Sequence, residues 1–218
     1  MTDLAARYYL DLAAAFVRAR LPDAPHLPPA ETVRLGRDAG LPLRRFKRTA
    51  ELPRVRRVLG ILRSLAPQTL LDVGSGRGAF LWPLLDSFPD LRVTAIDSKP
   101  HRVADIQAVS AGGVPRLTGA VMDATRLDLP DKYVDGVTIL EVLEHLEHPQ
   151  KAVAEAVRVA RRFVVVSVPS KPDDNPEHIH LFNRDSLQAL FSRAGVGRLS
   201  VDFVLNHLVA LAVLSPPC

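Results

Sequence analysis

Residues 70–80 read Leu-Leu-Asp-Val-Gly-Ser-Gly-Arg-Gly-Ala-Phe, and the rest of the chain is read outward from them. Leu70, Leu71 and Val73 have the pattern of a buried strand end. Gly74, Gly76 and Gly78 then turn the chain, with a helix expected over 78–88. A strand, a glycine turn and a helix suit a nucleotide-like ligand, because glycine tolerates a tight turn and lets a ligand approach the backbone. The turn also fits the dinucleotide pattern G-x-G-x-x-A, with Ala79 in the last place. Asp97 closes the apolar run Leu91–Ile96, roughly twenty residues on, where an acid can bind ribose hydroxyls in either kind of protein.

Asp72 weighs against a dinucleotide. Pyrophosphate is anionic, and a carboxylate just ahead of the first glycine opposes it. The same carboxylate suits a ligand with a cationic amine, such as the methionine half of S-adenosylmethionine. Asp72-Val73-Gly74-Ser75-Gly76-Arg77-Gly78 resembles motif I of class I S-adenosylmethionine-dependent methyltransferases. Further matches follow in that family's order. Asp97 ends the second strand and Asp123-Ala124 follows the third. Leu127-Asp128-Leu129-Pro130 and Tyr133-Val134-Asp135-Gly136-Val137 lead into Glu141-Val142-Leu143-Glu144-His145-Leu146, similar to the family's E-V-L-E-H-L. The resemblance runs from about Leu52 to the C-terminus. It implies a Rossmann-like fold: a mostly parallel seven-stranded sheet, helices on both faces and an antiparallel C-terminal strand.

Composition fits one α/β domain with an extension. The chain has 218 residues, 47% of them hydrophobic, and a formal net charge of +4. No apolar run is long enough to span a bilayer, and Asp3, Arg7 and Asp11 interrupt the N-terminus, so no signal peptide is expected. The single cysteine, Cys218, excludes an intramolecular disulfide and a cysteine-based zinc site. A cytoplasmic protein without a membrane partner is expected. Basic residues cluster over Arg44–Arg57 and at Arg63. They read either as a solvated face in an arginine-rich chain or as a surface for an anionic substrate, RNA included. Phe46 is the one aromatic among them, which is not the aromatic platform of single-stranded RNA binders.

Residues 4–20 place Leu4, Tyr8, Leu12, Ala15 and Phe16 near helical spacing. Pro22, Pro25, Pro28 and Pro29 are expected to break that helix into a loop. A second helix is expected over 55–65, ended by Pro67. Strands are then expected near 69–73, 91–96, 116–122, 134–140 and 163–168, alternating with helices near 78–88, 100–111, 150–161 and 184–194. Such alternation means a parallel sheet with helices on both faces. Arg198–Val204 and Leu208–Leu214 read as a closing antiparallel pair. The division expected is residues 1–50 as a helical cap over the substrate side and 51–218 as the ligand-binding domain, which would keep some cofactor binding without the cap.

The resemblance implies a residue set for S-adenosylmethionine: Asp72, Gly74, Ser75, Gly76 and Gly78 in the turn, Asp97 and Ser98 at the ribose, Asp123 and Ala124 at the adenine, and Glu141 at the methionine end. Arg77 is a further candidate for a carboxylate. On a helix, Glu141 and His145 would share a face. His145 and His178 are the candidate catalytic residues. His178 belongs to Glu177-His178-Ile179-His180-Leu181-Phe182, similar to an E-H-x-x-x-F string of many methyltransferases. His148 is expected at the surface.

A second enzyme class shares these residues. Small-RNA 3′-terminal ribose methyltransferases hold a divalent metal through E-x-x-E-H and a later histidine, which here would be Glu141, Glu144, His145 and His178 or His180. The chain departs from that pattern at Leu146, where a second histidine is missing, and at Asn183-Arg184. No metal site is expected, and a small-molecule acceptor is preferred to RNA. The frequent Pro-Gly-Gly turn before the fifth strand is replaced by Ala160-Arg161-Arg162. A non-catalytic protein that binds S-adenosylmethionine fits the acidic residues as well as an enzyme does.

Overall fold

The alternating apolar runs build a seven-stranded sheet ordered β3-β2-β1-β4-β5-β7-β6. The computed structural model of the chain describes residues 7–21, 23, 27–48 and 52–214. Leu4, Pro22, Pro25 and Cys218 lie outside the described residues. The strands are β1 (Thr69–Val73), β2 (Arg92–Asp97), β3 (Leu117–Val121), β4 (Val134–Leu140), β5 (Ala160–Pro169), β6 (Leu199–Val204) and β7 (His207–Val213). All neighbours pair parallel except β7, which runs antiparallel to both β5 and β6. Leu205 and Asn206 both take positive φ in the β6–β7 turn, the backbone that closes a two-residue hairpin.

Side-chain alternation along the strands divides the interior into two layers. Leu70, Val93, Phe163 and Val165 face one core, while Leu71, Ile96, Val164 and Val166 face the other. The first core is covered by α1 (Leu10–Arg20), α2 (Pro29–Asp38), α3 (Pro53–Leu65), α4 (Leu81–Ser87) and α5 (Pro100–Ala111). The second is covered by α6 (Pro149–Val159) and α7 (Arg184–Arg193). Asn183 starts α7 with a capping box, accepting from the Ser186 amide while Ser186 Oγ accepts from the Asn183 amide.

Three elements differ from the sequence reading. Pro29 opens α2 instead of prolonging a loop, since proline's fixed φ and missing N–H suit the first helical position. Helix α4 begins at Leu81, because Gly78–Phe80 are still turning. Ala160, Arg161 and Arg162 belong to β5 and not to the preceding helix. Gly136 explains part of that register: a Cβ there would overlap the Phe163 ring across β4 and β5.

The core is continuous across the division drawn at residue 50. Leu12, Phe16, Val17, Val33, Leu43 and Phe46 are buried together with Leu62, Trp82, Leu85 and Val109. Phe46 lies between Phe16 and Trp82, with ring centroids 5.3 and 4.9 Å away. The N-terminal segment is thus a packed layer on one sheet face.

Candidate functional site

The glycine turn sits at the C-terminal edge of the sheet, where open α/β folds place their ligands. Gly74 and Ser75 donate their amides to the Ile96 carbonyl at 2.8 and 3.0 Å, which ties the end of β1 to β2. Gly74 and Gly78 have φ of 72° and 84°. A Cβ on Gly74 would overlap Val142 and one on Gly78 would overlap the Trp82 indole, so both positions need glycine for two reasons.

Asp72 lies in β1, opposite Thr138 of β4. The Thr138 hydroxyl donates to Asp72 Oδ1 at 2.8 Å. Oδ2 is buried and has no partner among the described residues. Burial is the main reason that the Asp72 carboxyl is pushed up to about 6, with the Ser75 and Thr138 hydroxyls opposing it. An unpartnered buried acceptor is costly, and a cationic donor would relieve that cost.

Asp97 clamps the same turn. Oδ2 accepts from the Gly76 amide at 2.9 Å and from Arg102 Nη1 at 3.3 Å. Oδ1 accepts from the Lys99 amide at 2.9 Å. A carboxylate has about four acceptor positions, so Oδ1 retains room for a hydroxyl. Ser98 beside it is exposed. Asp123 is exposed beyond β3, with Oδ1 accepting from the Thr125 amide and hydroxyl at 2.8 and 2.9 Å. Ala124 is half-buried next to it. The Met122 amide donates to the Asp97 carbonyl at 3.2 Å, so the two acidic strand ends are neighbours.

Glu141 and His145 do not share a helical face. Glu141 leaves β4 with φ of 57°, and only Leu143–His145 form a short 3-10 turn. The Glu141 carboxylate accepts from Ser167 Oγ at 2.6 Å and pairs with His207 Nε2 at 3.1 Å and Arg54 Nε at 3.6 Å. The sequence places Arg54 only in the basic cluster and does not mark Ser167, His207 or Thr138 as site residues. Thr138 carried a signal, as a lone hydroxyl within the apolar run Val137–Leu140.

His145 and His178 meet, with ring centroids 4.7 Å apart. Nδ1 of His145 lies 3.0 Å from the Glu177 carbonyl, and Nδ1 of His178 lies 2.9 Å from Asp173 Oδ1. Glu144 is fully buried behind them, with neither carboxylate oxygen partnered among the described residues. Burial pushes its carboxyl up to about 8, assisted by the negative charge of Glu141. Its backbone carbonyl accepts from the Ile179 and His180 amides at 2.9 and 3.2 Å, docking the histidine loop onto the β4 loop. One donor atom each from Glu144, His145 and His178 lies within 4.8 Å of the others. The set expected for a metal is only partly assembled: Glu141 is turned to Ser167 and His207, and His180 Nε2 donates to the Leu146 carbonyl at 2.9 Å. His148 is exposed, as expected.

Part of the basic segment is paired with carboxylates. Arg45 pairs with Asp105, Arg48 with Asp86 and Arg57 with Asp202. No helix among the described residues is long and apolar enough to cross a membrane.

Residues 71–165 match the sequence model of the family described as "Methyltransferase domain". The malonyl-[acyl-carrier protein] O-methyltransferase of Geobacter sulfurreducens is 28% identical over 169 residues, covering 66% of this chain and 62% of that protein. The ajmaline N-methyltransferase of Rauvolfia serpentina is 29% identical over 126 residues, covering 57% of this chain and 40% of that protein. The chain thus spans less than two thirds of the length of either relative. The magnesium protoporphyrin IX methyltransferase of Synechocystis PCC 6803, solved with bound SAH, superposes with a TM-score of 0.59 at 18% identity, over 74% of this chain and 82% of that one. With motif, strand order and family match all falling on the same stretch, residues 71–165 are similar to the methyltransferase domain family, and the chain has the class I, Rossmann-like methyltransferase fold.

Proposed function

We propose that the chain is an S-adenosylmethionine-dependent methyltransferase acting on a small-molecule acceptor. The observation that carries this reading is Asp72 Oδ2, a buried oxygen without a partner among the described residues, at the edge of the glycine turn. Such an oxygen fits a cationic amine, directly or through a water, and opposes a pyrophosphate. Bound there, the sulfonium supplies a methyl carbon already activated for in-line displacement. The protein's share is to orient, to exclude water and to accept a proton, and orientation alone contributes up to about 7–11 kcal/mol in favourable cases.

In this assignment the backbone of Gly74, Ser75, Gly76 and Gly78 lies along the methionine half. The free position on Asp97 Oδ1 takes a ribose hydroxyl, beside Ser98. Asp123 takes the adenine amine and the Ala124 amide a ring nitrogen. Glu141, already shared by Ser167, His207 and Arg54, walls the methionine end rather than gripping it. His145 and His178 face the acceptor, each oriented through Nδ1. The two curated relatives are named for methylation at oxygen and at nitrogen, so the acceptor atom is left open.

Calorimetric titration with S-adenosylmethionine, S-adenosylhomocysteine and NAD tests the reading. The first two should bind and NAD should not; the reverse order would sink it. Asp97→Ala should lower S-adenosylmethionine affinity roughly 10–150-fold, the loss expected when hydrogen bonds to a charged acceptor disappear at a cost of about 1.5–3 kcal/mol. An unchanged dissociation constant in a folded variant would remove Asp97 from the site. Affinity should also rise with pH through about 6, as Asp72 ionises to meet the amine. A flat profile between about pH 5 and 7 would contradict that role.

Activity should survive a chelator. The four-residue metal set is not assembled, because Ser167 and His207 hold Glu141. Loss of methyl transfer in EDTA and its recovery with Mg²⁺ or Mn²⁺ would favour the metal-dependent ribose reading instead.

A further inference from the structure

Two cavities flank the N-terminal layer, and their charges differ. One, of about 580 Å³, is lined by Arg48, Arg56, Arg57 and Arg63 but also by Asp86. Arg48 and Arg57 are paired with Asp86 and Asp202, so much of its charge is already balanced. The other, of about 630 Å³, opens between the turn Leu43–Phe46, the glycine turn and the start of α5. Its wall carries Arg44, Arg45, Lys47, Arg77, His101 and Arg102, and no Asp or Glu. Arg45 and Arg102 are committed to Asp105 and Asp97. The side chains of Arg44, Lys47 and Arg77 have neither a carboxylate nor a hydrogen-bond partner among the described residues. Like charges gathered around one cavity repel, and an anion there would turn the repulsion into attraction.

We propose that this cavity is an oxyanion site that takes the phosphate ester or diphosphate group of a small molecule, carried by the methyl acceptor. Its link to the acceptor rests on the methyltransferase reading; the anion site itself does not. Three unpaired cations call for more charge than a lone carboxylate brings, and Arg is well suited to phosphate through its planar fork. The volume is that of a small-molecule pocket. Its aromatic residues, Tyr9 and Trp82, are buried at 8% and 2% exposure, so they offer no open face on which nucleic acid bases could stack. Gly78 and Ala79 belong to the same wall, which sets the anion beside the glycine turn.

Pyrophosphate is the probe. Trp82 is the only tryptophan in the chain and lines the cavity, so its fluorescence reports occupancy alongside calorimetry. Binding should be saturable, with a dissociation constant of about 1 mM or tighter, and should weaken with added salt. Arg44→Ala/Lys47→Ala should weaken it at least about tenfold while the thermal melt and S-adenosylmethionine affinity stay as in the unmodified protein. Arg63→Ala, outside the cavity, should change nothing. If methyl transfer is never detected but this pattern holds, the oxyanion site stands and the activity reading alone falls. Absence of saturable binding, an equal response to acetate at matched ionic strength, or an unaltered double variant would overturn the proposal. So would tight binding of a short single-stranded RNA that Arg63→Ala weakens as much as the double variant does.

Discussion

A chain beginning at Leu52 should fail to fold cooperatively, although the family match begins only at residue 71. Removing the first helices takes away Leu12, Phe16, Val17, Val33, Leu43 and Phe46, all buried in one cluster with the sheet-facing residues of α3, α4 and α5. The segment also gives up its own ordering entropy, so its burial overstates the loss. What decides the outcome is the face left behind. Trp82 loses the Phe46 ring stacked on it at 4.9 Å, and α5 loses α1, which approaches so closely that a Cβ on Gly112 would overlap the Ala15 backbone. Burying a large apolar side chain contributes about 1.5–3 kcal/mol, and a domain's net stability is only about 5–15 kcal/mol. Exposing two or three such residues removes most of it. Circular dichroism melts of the shortened chain should lose their sigmoidal transition. In the 218-residue chain, Gly112→Ala should lower the melting temperature by about 10 °C or more, since it forces α1 and α5 apart. A shortened chain that melts near the 218-residue chain and binds S-adenosylmethionine equally well would show that the N-terminal layer is dispensable.

That outcome bears on what a sequence shows and hides. The strands were legible because each is a short apolar run bounded by turn residues, and their alternation with helices admits few topologies. The antiparallel ending was legible from Leu205-Asn206-His207 between two apolar runs, although His207 itself belongs to β7. Helix α2 was hidden because four prolines precede or open it, and proline at a helix start looks locally like a loop. The role of α1 was hidden for a different reason. Its buried stretch Ala13–Val17 is mostly alanine and valine, which says that something packs closely against it but not what.

The site divides along the same line. Asp72, Asp97 and the glycines stand within a few residues of strand ends, so their positions follow from local order. Partners contributed from distant elements do not. Thr138 reaches Asp72 only through the β1–β4 register, and His207 reaches Glu141 only because β7 inserts beside β5. The helical spacing of Glu141 and His145 failed because the chain leaves β4 through a positive-φ residue. That conformation sends neighbouring side chains to different sides.

Glu144→Gln should make the protein more stable at alkaline pH and change its pH dependence. Glu144 is fully buried with both carboxylate oxygens unpartnered among the described residues, and burial raises its carboxyl from 4.5 to about 8. Between those values the folded chain holds a proton that the unfolded chain has released. Folding stability therefore falls as pH rises through this window and levels off above about 8. Asp72 acts in the same direction, but its window closes near 6. From about pH 6 to 8 the slope from these two carboxyls thus belongs to Glu144 alone, and it amounts to roughly 2–3 kcal/mol over the two units. The His145 and His178 imidazoles border the same space and are present in both proteins, so comparing Glu144→Gln with the unmodified chain isolates the carboxyl. Urea denaturation at about pH 5.5, 7 and 8.5 should give curves that diverge with pH, the variant being the more stable at the alkaline end. Parallel curves would mean that the carboxylate finds solvent or a partner. A buried neutral acid behind two oriented imidazoles also has a functional consequence. Under the proposed methyltransferase reading, Glu144 adds no charge to that of Glu141 and Asp173 near neutrality, and the His145 and His178 imidazoles are the groups that receive a proton released during methyl transfer.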